Sequence, residues 1–320
     1  MNQVVECVPN FSEGRRERII EQIVSALQGV PGNQVLDVQS DPDHNRTVVT
    51  MVGAPAAIAE AAFQGTAIAA QLIDLNHHRG GHPRMGATDV IPFVPLREVT
   101  MDQCISLARQ LGERVGRELG IPVYLYEEAA TRPERRNLAE VRRGEYEGLR
   151  QEIATNPERL PDFGPAAMGT AGATAIAARP PLIAFNVYLN TSDLHPAQAI
   201  AKAVRHSSGG FRFVKAIGLL VEGQAQISMN VTDYRRTPLA RVLAAIRSEA
   251  SRYGLAVTHT EIVGLLPAEA LFDVAEFHLQ LAGFSASQII ENRLSGDVAS
   301  DASGHTADRI PEKSGDADSD

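Results

Sequence analysis

One succession of patterns occurs twice along this chain: a strand-like apolar run, a stretch of helical spacing, two more strand-like runs, a second helical stretch and a last strand. In the first half, residues 4–8 form the opening apolar run. Ile19, Ile20, Ile23, Val24 and Leu27 then recur at helical spacing before Gly29. Residues 35–38 and 47–52 read as strands joined by the polar loop 40–46, residues 55–75 as an Ala-rich helix, and 90–94 as a strand. A further helix starts at the capping box Thr100/Gln103 and stops at Gly120 and Pro122, and a strand over 123–126 follows it. The second half repeats the order with a strand at 182–189, a helix at 192–204, a hairpin of 214–221 and 224–231 turning at Glu222-Gly223, a helix at 238–253 and a strand at 257–263. Strand-helix-strand-strand-helix-strand is the split βαβ order, so the expected fold is α+β, with two tandem ferredoxin-like (split βαβ) subdomains. The expected boundaries are 1–180 and 181–294. A last helix is expected from Pro267, with Ala270, Leu271, Val274, Phe277 and Leu281 on one face.

Composition narrows the class. At 320 residues and 44% hydrophobic content the chain can bury a core for each unit, yet no apolar run is long enough to span a membrane and no basic leader precedes residue 4. A cytoplasmic protein without a membrane partner is the expectation. Two cysteines, Cys7 and Cys104, exclude a disulfide scaffold and read as buried small hydrophobes. The net charge of −9 argues against a nucleic-acid partner, and a large share of it lies in 295–320, a Ser/Asp/Gly/Ala-rich acidic tail expected to be disordered.

The densest chemistry lies in 77–89. His77, His78, His82, Arg79 and Arg84 are gathered there among Gly80, Gly81 and Gly86, just before a strand. Gly81 and Pro83 deny His82 a helix and fix it on a turn, where an imidazole can exchange protons near neutral pH. His77 and His78 read as solvated or bracing residues. A zinc site at His78 and His82 needs both on one helical face, which Gly80-Gly81 oppose, so no metal is expected. The loop Asp41-Pro42-Asp43-His44-Asn45-Arg46 starts like a calcium loop but has Arg46 where glycine is needed and Val52 where glutamate is needed. It remains a loop that can offer carboxylates and a guanidinium to a substrate, or an Asx-type turn capped by Asp41 and Asn45. The Gly/Ala/Pro-rich stretch 161–179 reads as a linker or a working loop, not a phosphate loop, because no Gly-Lys-Ser/Thr follows. Arg132, Arg135, Arg136, Arg142 and Arg143 read as a solvated basic face, or as a surface for a polyanionic tail.

Taken together, residues 5–14, 41–47, 81–92, 122–126, 164–179 with Ala184-Phe185-Asn186, and 263–267 resemble the glutamate formimidoyltransferase family, from about residue 4 to 284. The resemblance implies transfer of the formimino group from N-formimino-L-glutamate to tetrahydrofolate, giving 5-formiminotetrahydrofolate and L-glutamate, in histidine degradation. It also implies folate bound between two subdomains, a homodimer, and a monofunctional chain lacking the cyclodeaminase step of fused relatives. Carried over by position, His82 is the catalytic histidine, and Gly164, Pro165, Ala166, Ala167, Met168, Gly169, Thr170, Ala171 and Gly172 are the folate-contacting loop. The donor's amidinium calls for a carboxylate, and its two carboxylates call for guanidinium or amide donors. Asp41, Asp43 and Asp89 are the candidates for the first role, and Arg46 and Arg84 for the second. A folate enzyme of the same fold acting on 5-formyltetrahydrofolate, or a catalytically silent folate-binding protein, is the alternative.

Overall fold

The computed structural model describes residues 3–294; the acidic tail expected at 295–320 lies outside them. Two sheets form the framework of a mixed α+β fold.

The first half contains β1 (Val4–Cys7), β2 (Asn10–Phe11), α1 (Glu17–Gln28), β3 (Asn33–Asp41), β4 (Arg46–Gly53), α2 (Pro55–Leu72) and β5 (Thr88–Arg97). It continues through α3 (Met101–Arg114), β6 (Val123–Glu127), α4 (Leu138–Val141), α5 (Glu145–Glu152) and β7 (Thr174–Ala178). β1 and β2 act as one strand interrupted at Val8-Pro9, because both pair antiparallel with β4 on one side and with β5 on the other. With β3 on β4, the first part of the chain gives the order β3, β4, β1/β2, β5, all antiparallel. β7 and β6 then extend the sheet beyond β5 in parallel, and β7 sits between β5 and β6. A parallel neighbour needs a long crossover, which α3 and the 128–173 segment supply.

Side-chain alternation explains the layers. Val5, Cys7, Val49, Met51, Ile91, Phe93, Val123, Leu125, Ile176 and Ala178 face α1, α2 and α3 in one core. The opposite face is covered over β5, β7 and β6, where Val90, Tyr124, Tyr126, Ala175 and Ala177 pack beneath Val141 of α4 and Leu149 of α5. That is why β5 reads as a continuous apolar run and is buried on both faces over most of its length. The Thr100/Gln103 capping box of α3 is present, and both cysteines are buried.

The second sheet has the order β11, β8, β10, β9, all antiparallel. Its elements are β8 (Ile183–Leu189), α6 (Leu194–Val204), β9 (Val214–Val221), β10 (Gln224–Val231), α7 (Leu239–Ser251) and β11 (Val257–Val263). β8 alternates strictly, with Ile183, Phe185, Val187 and Leu189 packed beneath α6 and α7 while Ala184, Asn186 and Tyr188 are partly open. The hairpin turns at Glu222-Gly223, both at positive φ as its tight geometry requires.

Three expectations are corrected here. The stretch 161–179 is not all linker or loop, since its end is the fully buried strand β7. Its alanines have low strand propensity, and burial on both faces overrides it. The basic run is not a solvated face throughout: Arg135 is 4% exposed and ion-paired with Asp162 at 2.6 Å. The helix expected from Pro267 forms as α8 (Ala268–Leu279), yet only its Ala270 is buried, and Leu271 and Phe277 are exposed.

One close approach locks β7 into place. Gly86 and Gly172 form an isolated antiparallel bridge, flanked by Ala87 N–H donating to Ala171 O (2.8 Å) and Ala173 N–H donating to Met85 O (2.9 Å). A Cβ on Gly86 would stand 2.0 Å from Ala173 O, and Gly172 holds φ +71°. Gly86→Ala is expected to lower stability by about 1–3 kcal/mol in urea unfolding. Gly169→Ala, where nothing lies within 4 Å of the added carbon, should stay within about 0.5 kcal/mol of wild type.

Candidate active site

The segment from the end of α2 to β5 carries His82 and is tied down on every side. Leu75 N–H donates to Thr170 O at 2.9 Å, and Gly81 N–H donates to Asp43 O at 3.1 Å. His78 is buried and acts as a brace: its Nε2 lies 3.0 Å from Asn45 O, and its Nδ1 accepts from Arg84 Nε at 3.1 Å. An arginine can only donate, so His78 is a neutral Nε2–H tautomer, and burial holds its pKa below the ordinary histidine value. The remaining Arg84 nitrogens bind Glu145 at 2.9 Å and Glu147 at 2.6 Å, clamping the segment to α5.

The loop between β3 and β4 interlocks with it. Asp41 Oδ1 accepts from the amides of Asp43 (2.8 Å) and His44 (2.9 Å), which is the Asx-type turn, and Asp41 Oδ2 lies 2.5 Å from His44 Nδ1. Partial burial works against the charged Asp41, but these His44 contacts outweigh it and hold its carboxyl below the usual range. Asn45, at φ +49°, receives Gly14 N–H on its Oδ1 and donates to Arg79 O. The His44 ring stands edge-on to the His82 ring, their centroids 6.1 Å apart.

Positive charge surrounds His82. Arg46 leaves β4 with its guanidinium on Asn10 Oδ1, Nε at 2.9 Å. Asp89, at the start of β5 and 3% exposed, takes Met85 N–H on one oxygen (2.8 Å) and the Arg142 guanidinium on the other. Burial, then the charges of Arg46, Arg142 and His44, push the half-buried His82 imidazole down to about 3. Burial and the neighbouring Arg142 charge likewise bring Arg46 down to about 10. His82 is therefore unprotonated at neutral pH, with a lone pair free to accept a proton.

These positions separate the residues singled out in the sequence. His82, Arg46 and Asp89 share one electrostatic neighbourhood, and the backbone of Asp43 meets Gly81 next to His82. Arg84 is drawn off: every nitrogen of its guanidinium is engaged by His78, Glu145 or Glu147. Asp41 and Asp89 have both oxygens in use, whereas the Asp43 carboxylate is exposed and has no hydrogen bond or ion pair among the described residues. The glycine-rich loop enters at Gly164 and is largely exposed as far as Thr170. It returns through the Gly86·Gly172 bridge, four residues beyond His82. Arg142 was missed. It stands 53 positions from Asp89, and nothing in the sequence separates it from its basic neighbours. Among the described residues no group of three or more His, Cys, Asp or Glu side chains is arranged to hold a metal, and no helix is long and apolar enough to cross a membrane.

Residues 4–179 match the N-terminal subdomain of the formiminotransferase domain, and residues 184–293 match the formiminotransferase domain. The chain is 47% identical over 300 residues to the glutamate formimidoyltransferase of Streptococcus pyogenes serotype M1, covering 92% of this chain and 100% of that one. It is 50% identical over 295 residues to the glutamate formimidoyltransferase of Thermoplasma acidophilum, covering 91% and 97%. It is also 44% identical over 287 residues to the formimidoyltransferase-cyclodeaminase of Rattus norvegicus, covering 87% of this chain and 53% of that one, so it spans about half of the bifunctional relative.

A histidine whose folded pKa lies below its unfolded value contributes stability that is present above about pH 6.5 and lost as pH falls toward the folded value. For His82 that window runs from the ordinary histidine value down to about 3. Urea unfolding at pH 7.5 and 5.0 should show wild type losing stability on acidification and His82→Asn losing less. An equal loss in the two proteins would remove His82 as a contributor.

Proposed function

The chain belongs to the formiminotransferase family, and from that premise we propose that it moves the formimino group of N-formimino-L-glutamate to tetrahydrofolate. The products are 5-formiminotetrahydrofolate and L-glutamate, a one-carbon transfer suited to histidine degradation. One observation carries the mechanism. His82 is held neutral on a braced segment, and that segment is hydrogen-bonded to the returning end of the glycine-rich loop.

The folate amine at position 5 attacks the amidine carbon and must lose a proton. The departing glutamate nitrogen must gain one as its bond to that carbon breaks. A single imidazole between the two does both, taking the proton in the first step and returning it in the second. At neutral pH His82 is the free base, and its depressed pKa favours the second half, because the protonated imidazole gives its proton up readily to the departing nitrogen. Placement of two substrates against one another supplies much of the remaining rate gain.

Asp43 is the best-supplied partner for the amidinium, as its carboxylate is unengaged among the described residues and its own carbonyl binds Gly81 beside His82. Arg46 is the donor we assign to a substrate carboxylate. Arg84 and Asp41 act as braces, and Asp89 acts through the residues it holds. The loop Gly164, Pro165, Ala166, Ala167, Met168, Gly169, Thr170, Ala171 and Gly172 is assigned to the folate. Its largely exposed course from Gly164 to Thr170, and its anchoring to the histidine segment, support that reading.

The strand orders β5, β1/β2, β4, β3 and β11, β8, β10, β9 place the first strand of each unit between its third and fourth, which supports reading both units as ferredoxin-like. We set their boundaries at 1–180 and 181–294, with the folate between them. Lys215 of β9 stands 3.8 Å from Glu127 of β6, a polar contact between the two units that fits this arrangement. A homodimer working in the cytoplasm completes the proposal.

Transfer from formiminoglutamate to tetrahydrofolate, with 5-formyltetrahydrofolate as the competing donor, tests it. Wild type should turn over formiminoglutamate. His82→Ala should lose roughly 10²–10⁴-fold in kcat while binding folate within about twofold of wild type. The acid limb of wild-type kcat/KM should fall below about pH 5 instead of near the ordinary histidine value. Consumption of 5-formyltetrahydrofolate alone would replace the donor, and an acid limb near pH 6.5 would show that the charges around His82 do not set its proton affinity.

A further inference from the structure

Arg142 follows α4, in the segment laid over the second face of the first sheet, and its guanidinium pairs with Asp89. Their side chains are 15% and 4% exposed. The pairing does not exhaust the guanidinium: the Arg142 Nε–H is buried and has no hydrogen-bond partner among the described residues. A buried donor on a charged group left without an acceptor is costly, and such groups in native proteins ordinarily have a partner or a ligand.

The surrounding charges say what would satisfy it. Arg46, from β4, and Arg142, from the overlying segment, both act on His82 and on each other. Two guanidiniums in mutual repulsion, beside His44 as well, face few compensating charges. Asp89 is engaged by Arg142 and Met85 N–H, Asp41 is engaged by His44, and Arg46 meets the neutral amide of Asn10. The neighbourhood thus keeps surplus positive charge and an unused donor next to the histidine. A carboxylate answers both, and guanidinium pairs are well matched to its two oxygens.

We propose that Arg46 and Arg142 together hold one carboxylate of the formimino donor beside His82, with Asp89 as the positioning residue that aims Arg142. This rests on the donor being formiminoglutamate, which presents two carboxylates. Asp89 then has a single mechanical role, since its other oxygen fixes Met85 three residues beyond the histidine. The same anion would ease the repulsion between the guanidiniums, so the free protein is poised to receive it.

Three measurements test the assignment. First, calorimetric titration with L-glutamate, the leaving product, should show affinity reduced by roughly ten- to a hundredfold in Arg142→Gln and partly recovered in Arg142→Lys. Unchanged glutamate affinity in a folded Arg142→Gln protein overturns the proposal, even if wild type transfers the formimino group normally. Second, Arg142→Gln should raise KM for formiminoglutamate far more than it lowers kcat, with tetrahydrofolate affinity within about twofold of wild type. Loss confined to kcat, or to folate affinity, would instead make Arg142 a brace or a partner of the folate's own carboxylates. Third, donors with either carboxylate converted to the amide are compared in wild type and Arg142→Gln. The penalty of the substitution should vanish for one of them, and an equal penalty for both overturns the clamp. If Arg142→Gln fails to fold, wild type alone decides, because undiminished use of both amide donors is incompatible with the clamp. Failure of wild type to transfer from formiminoglutamate would sink the reaction proposed above, whereas the glutamate titration would still report on the clamp.

Discussion

The close backbone approach between Gly86 and Gly172 is the constraint on which the site depends. Both carbonyl-to-amide bonds around it join the segment after His82 to the chain entering β7, which must run beside β5 and cannot drift. A side chain at either glycine would force the two backbones apart. The consequences run in both directions. Upstream, the histidine segment is fixed at its C-terminal end, with His78 and Arg84 fixing its middle. Downstream, the glycine-rich loop is held at its base while its outer part stays open. A catalytic group on a loop is accurate only if that loop is over-determined in this way.

Charge management is the second theme. The protein places several arginines where water is scarce: Arg84 has every guanidinium nitrogen engaged, by Glu145, Glu147 and His78, and Arg135 is ion-paired with Asp162. A buried pair such as that of Arg135 with Asp162 adds little net stability, since desolvation offsets its attraction, but removing one partner is expensive, which makes it effective at fixing geometry. Around His82 the pattern differs. Arg46 and Arg142 are incompletely compensated, and their field, added to burial, keeps the imidazole neutral. The same field that prepares a base also prepares a place for an anion. One arrangement therefore serves proton transfer and substrate recognition.

Much of the framework was legible in the residues. The apolar patterns give most strands and helices of both sheets, though not the short β2, α4 and α5, because a half-buried strand and an amphipathic helix each leave their own period in the sequence. β8 shows this most clearly, alternating core and open residues along its whole length. β7 escaped for the converse reason: a strand buried on both faces loses its alternation, and here it is built mainly of alanine. The exposed apolar residues of α8 show a further limit, for helical spacing identifies a face without saying what covers it.

By itself the sequence determined the element order, the turn that carries His82 between Gly81 and Pro83, and the polar loop from Asp41 to Arg46. These follow from local backbone preferences and short-range spacing, which neighbouring residues fix among themselves. Only the tertiary structure decided which charges meet. It drew Arg84 away to Glu145 and Glu147 and brought Arg142 to Asp89 across 53 positions. It also left Arg46 facing a neutral asparagine. Ion pairing depends on distance through space and on burial, and neither is set until the sheet has closed and the segment bearing α4 and α5 lies over it.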